Sequence, residues 1–85
     1  MTTIDELVRM GFRRIATDID DIFCQEVELL DLKYALDYLQ DCYHASMEEG
    51  DMNRRKYCRA SKNITRLSGM VRAQGITHLY LGIAK

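Results

Sequence analysis

A chain of 85 residues with 47% hydrophobic and 29% charged side chains has the composition of one small soluble globule. That excludes a collagen-like, disordered or membrane-embedded chain and leaves no room for a catalytic domain beside a separate binding domain. The formal net charge of −1 conceals a strong segregation: residues 1–51 hold thirteen acids against four bases (Arg9, Arg13, Arg14, Lys33), a formal −9, whereas residues 52–85 hold eight bases and no acid, a formal +8.

The expected elements are helical, because the chain has no proline and no glycine between Gly11 and Gly50. Thr3 followed by Glu6 has the S/T-x-x-E form of a capping box. Apolar residues then recur in threes and fours at Ile4, Val8, Phe12, Ile15, Ile19 and Ile22, which predicts a first helix over about 3–23. The period is lost from Cys24 to Glu28, where a bend or turn is expected, with one long bent helix as the alternative. A second stripe, Leu29, Leu32, Leu36, Leu39, Tyr43 and Met47, predicts a second helix over about 27–48 that stops before Gly50.

Asp51 is a suitable N-cap for a third helix over about 52–74, whose stripe is Tyr57, Ala60, Ile64, Leu67 and Val71. Gly75 closes it, with Arg72 in the last turn where a cation suits the helix dipole. Residues 76–85 form a tail in which Leu79, Leu81 and Ile83 alternate to one side, as in a short strand. No second strand is expected in the chain, so the tail must pack on the helices, pair with another copy or dock onto a partner. The fold class read from the sequence is all-α: a small three-helix bundle, or a bent helical hairpin plus a third helix, in a single domain with a strand-like tail.

The faces of these helices carry the functional reading. At about 100° per residue, Arg55, Arg59, Lys62 and Arg66 lie within about 60° of one another, opposite the apolar stripe, along about 16 Å of helix. Arg54, Arg55 and Lys56 stand at the positive end of the helix dipole, where each is unfavourable by about 0.3–1 kcal/mol. Glu48 and Glu49 across the turn are equally misplaced and offer local compensation. On the second helix Asp37, Asp41 and Glu48 lie opposite the apolar stripe, and Asp37/Asp41 is an i,i+4 like-charge pair. Tyr34 and Tyr38 flank those acids as in a protein-binding patch, the competing reading being that they pack beneath the first helix or the tail.

Chemistry is sparse. Asp18, Asp20 and Asp21 are clustered carboxylates of the kind a hard cation takes, but on a helix Asp20 points away from the other two. Cys42 and His44 are two apart and do not face each other on a helix, so neither a zinc pair nor a Cys/His nucleophile is expected. His78 lacks an acidic neighbour, and Asn63-Ile64-Thr65 is a glycosylation sequon placed mid-helix. No cofactor and no catalytic activity are expected. The three cysteines, Cys24, Cys42 and Cys58, cannot all pair and lack C-x-x-C spacing. The first twenty residues are too charged for a signal peptide and no run is long enough to span a bilayer, so a cytoplasmic protein with reduced thiols is expected.

The expected function is that of a small non-catalytic protein-binding regulator or inhibitor. Its format is that of an accessory factor of a phage or mobile element, acting on a larger complex such as a nucleic-acid-processing machine. Its contact residues are Arg54, Arg55, Arg59, Lys62 and Arg66 of the third helix and Tyr34, Asp37, Tyr38 and Asp41 of the second. The alternative is a direct nucleic-acid-binding protein using the basic face of the third helix. Against it stand the absence of a helix-turn-helix signature and the repulsion of a polyanion by the acidic half. A chain this short buries little more than about 60% of its unfolded surface, so a homodimer is expected to supplement its core.

Overall fold

A computed structural model describes residues 2–23 and 27–82. Their order is β1 (Thr2–Thr3), α1 (Ile4–Arg9), α2 (Arg13–Phe23), β2 (Leu29–Asp31), α3 (Leu32–Glu48), α4 (Arg54–Gln74) and β3 (His78–Tyr80). The chain is mostly helical as expected, but with four helices and a small three-stranded sheet in place of a three-helix bundle with a free tail.

The capping box forms: the Glu6 N–H donates to Thr3 Oγ1, and the Thr3 hydroxyl donates to Glu6 Oε1, each at 3.2 Å. The helix it starts does not run to residue 23. It ends after six residues because Gly11, at φ +97°, turns the backbone left-handed. The N–H of Gly11 then returns to Val8 O and that of Phe12 to Leu7 O, which satisfies the last carbonyls and closes a Schellman motif. Phe12, Ile15, Ala16 and Ile19 are buried on the far side of this corner. The apolar spacing therefore continues across a break in the backbone.

The join expected at Cys24–Glu28 falls partly outside the described residues, and β2 on its far side makes α2 and α3 separate helices. Leu29, assigned to a helical stripe by its spacing, is a strand residue and 47% exposed. Asp31 caps α3 by accepting from the Tyr34 N–H at 3.1 Å. At the next turn the cap of α4 is Asn53, whose side chain accepts from the Lys56 N–H at 2.8 Å. Asp51 lies too early for that role: its N–H closes the end of α3 on Ser46 O at 2.9 Å.

The C-terminal strand finds partners inside its own chain. β3 is the middle strand, parallel to β1 (Thr2 opposite Leu79, Thr3 opposite Tyr80) and antiparallel to β2 (Leu29 opposite Tyr80, Leu30 opposite Leu79, Asp31 opposite His78). Thr2, Leu79 and Leu30 form one buried row across the sheet, and Thr3, Tyr80 and Leu29 form the more exposed row on its other face. Beneath the buried row Leu32, Leu36, Leu39 and Tyr43 of α3 meet Ala60, Ile64 and Leu67 of α4 and the residues of the α1–α2 corner in one core.

Candidate functional site

The charges were the sequence's main functional signal, so their pairing decides what surfaces the fold presents. Among the described residues the ion pairs are Arg14–Asp18 at 3.2 Å and Lys33–Asp37 at 3.1 Å, and His44 Nδ1 lies 3.3 Å from Glu48 Oε1, each contact one helical turn apart. None joins the acidic half to α4. Glu48 turns to His44 rather than to Arg54–Lys56, so the compensation available across the α3–α4 turn is not made as an ion pair. Arg54, Arg55, Lys56, Arg59, Lys62 and Arg66 are all exposed.

Arg55, Arg59 and Lys62 stand on the outer face of α4, as the helical wheel requires. Arg66 turns toward the α1–α2 corner, where its guanidinium carbon lies 4.9 Å from the centroid of the buried Phe12 ring in a cation–π arrangement. Beside it, Arg14 of α2 and Lys56, Arg59 and Asn63 of α4 line a groove of about 190 Å³ floored by Met52 and Ala60. Arg14 was not legible as a member of this surface. It lies 42 residues before Lys56 in sequence, and only the corner at Gly11 brings the first turn of α2 against α4.

The second surface is aromatic. Tyr34 and Tyr38 are 56% and 42% exposed, so they do not pack beneath another element. Their rings lie 6.2 Å apart and each meets Phe23 edge-on, at 6.2 and 5.7 Å between centroids. Ile22, next to Phe23, is 44% exposed. Asp37 and Asp41 share the outer face of α3 with the tyrosines; Asp37 is held by Lys33, and both are exposed. Phe23 and Ile22 were missed because their spacing continues the buried stripe of the first helix. The last turn of α2 runs past the edge of the core, and nothing in the local sequence marks that.

Between these surfaces lies a partly buried polar clamp. The Tyr43 hydroxyl donates to Asp18 across the α2–α3 interface, and Arg14 Nε donates to the same carboxylate oxygen. Burial, and then the hydrogen bond and negative charge of Asp18, raise the Tyr43 hydroxyl well above the usual tyrosine range, with Arg14 opposing weakly. Asp18 is thereby engaged in holding two helices together, and Asp20 is exposed. Among the described residues no three His, Cys, Asp or Glu side chains come together as a metal site. Cys42 and His44 diverge, His44 stacking edge-on against Tyr57 at 5.9 Å. A cleft of about 540 Å³ between α3 and the end of α4 includes the Lys33–Asp37 pair and Arg72 in its lining. No described helix is long and apolar enough to cross a membrane.

No family model, curated protein or solved structure matches this chain.

Proposed function

We propose that this chain is a non-catalytic protein-binding regulator that docks onto a larger complex through the face made by Phe23, Tyr34 and Tyr38 with Asp37 and Asp41. The observation that carries this reading is a three-ring cluster at the surface, in which Tyr34 and Tyr38 stay about half exposed beside the partly buried Phe23. Aromatic side chains are the largest carriers of burial energy, about 25 cal/mol for each Å² of apolar surface removed from solvent. A chain with so little core has good reason to bury them internally, and this one does not. Rigid aromatic rings rimmed by charge are the composition of an interface hot spot. The acids select a partner whose rim is basic, through steering and register more than through affinity. In this reading the chain acts by occupying a site, and its small size is sufficient for that.

The test places a photo-crosslinking amino acid at Tyr38, and as a control at Arg59, in otherwise unchanged chains produced in cells that contain the target. The expected result is one discrete heterologous adduct from position 38, lost when Tyr34→Ala is added and absent from position 59. Sedimentation of the purified protein accompanies it. A chain that crosslinks only to itself and sediments as a dimer uses this face for self-assembly, which overturns the proposal, as does the absence of any adduct.

A further inference from the structure

The basic surface of α4 is separate from the aromatic face, and its composition is different in kind. α4 contains no acid in 21 residues. Between its exposed cations the outer face carries Cys58, Thr65 and Gly69, all exposed, and the half-buried Tyr57 borders it along a groove with Cys58, Ser61 and Lys62. A protein interface needs an apolar anchor at its centre and is depleted in lysine there. The one aromatic ring at its border, Tyr57, is already held from within by Gln40 and His44, so the centre of the face is polar and positive. Interfaces with nucleic acid have the opposite character, being polar, strongly positive and wet.

We infer that the α2–α4 surface binds the phosphodiester backbone of a nucleic acid, with Arg55, Arg59 and Lys62 of α4 and Arg14 of α2 as phosphate contacts. Three features of the structure support it together. The α4 cations have no ion-pair partner among the described residues, so a polyanion meets them without first displacing an internal acid, while Arg14 keeps Asp18 on Nε and turns an exposed guanidinium toward the groove. Arg55, Arg59 and Lys62 follow one line along the helix, at steps of about 6 and 4.5 Å of rise. The groove between Arg14 and Arg59 gives the backbone a seat beside that line, with the Asn63 amide as a neutral hydrogen-bond donor. Arg66 is held over Phe12 and marks the end of the surface nearest α1. The inference is independent of the aromatic face: the two surfaces use different residues, and either can fail alone.

The experiment is fluorescence anisotropy of the full chain with labelled duplex DNA, single-stranded DNA and RNA of equal length, between 50 and 200 mM salt. Four phosphate contacts give a slope near −3.6 in log K against log salt on duplex, about a hundredfold loss of affinity over that range. Arg59→Gln/Lys62→Gln removes two contacts and makes the slope shallower by about 2, while circular dichroism confirms that these unpaired exposed positions leave the fold intact. Lys33→Gln, which changes the net charge away from this surface, leaves binding unchanged. The arm bound most tightly identifies the nucleic acid. No binding to any of the three at 50 mM overturns the inference, as does equal weakening by Lys33→Gln. Equal competition by polyglutamate at matched charge also overturns it, because the ligand is then an acidic protein.

Discussion

Tyr43→Phe removes a single hydroxyl from the α2–α3 interface, and its effect can be worked out from the surroundings. The ring is 5% exposed and phenylalanine keeps its shape, so no cavity opens. What is lost is a hydrogen bond to a charged acceptor, ordinarily worth about 1.5–3 kcal/mol. Asp18 keeps Arg14 at 3.2 Å and its side chain is 25% exposed, so the carboxylate is not orphaned. The loss therefore lies near about 1.5 kcal/mol. With about 2.1 cal/mol/K of unfolding entropy per residue, that is a fall of about 8 °C in Tm at neutral pH.

The pH dependence separates this account from simple packing. Tyr43 is raised above its ordinary value by burial and by Asp18. Its contribution is therefore fully present below about pH 10 and is lost as pH rises, because the unfolded chain releases a proton that the folded chain retains. At pH 11 that release favours unfolding by about 1.4 kcal/mol, close to the whole advantage over phenylalanine. Thermal melts of both chains at pH 7, 9 and 11 should thus show a separation of about 8 °C that has nearly vanished at pH 11. The other four tyrosines are common to both chains and cancel in the difference. A separation that stays constant from pH 7 to 11, or no separation at pH 7, refutes the reasoning.

Three further substitutions test the fold at the positions where it departs from its sequence reading. Leu79→Ala empties a fully buried site in the middle strand and should cost about 3 kcal/mol in urea denaturation; a loss under about 1 kcal/mol means that the sheet adds little to the core. Asn53→Ala should cost about 1 kcal/mol by removing the cap of α4, whereas Asp51→Ala should stay within about 0.5 kcal/mol. The reverse order in paired chemical melts would return the cap to Asp51.

The sequence was most legible where structure is local. α4 follows its apolar period to Gly75, and the Thr3/Glu6 box caps α1, because both depend on side chains within one or two turns. α3 buries Leu32, Leu36, Leu39 and Tyr43 as its spacing requires. The break at Gly11 was hidden because Val8, Phe12 and Ile15 keep helical spacing across it. The alternation of the tail marked β3, but its partners were hidden for another reason: β1 and β2, of two and three residues, are too short to show alternation, and their pairing joins Thr2 to Leu79 and Leu30 to Leu79. The helical wheel of α4 brought Arg55, Arg59 and Lys62 to one face. Arg14 and Phe23 joined their surfaces through tertiary packing, which no local pattern records.

The order of strands in the sheet sets an order of assembly. β1 and β2 do not touch; each is paired only through β3, which follows all four helices in the chain. A ribosome that has released everything up to Gly75 has therefore delivered every helix but no sheet at all. Two strand segments must wait with unsatisfied amides and carbonyls, and with the pocket for Leu79 unfilled. The helices supply the fast, sequence-local part of folding, and the short strand that follows α4 acts as its keystone. A nascent or truncated chain lacking it presents two short sticky edges to its neighbours, where the finished molecule has joined those segments into one sheet.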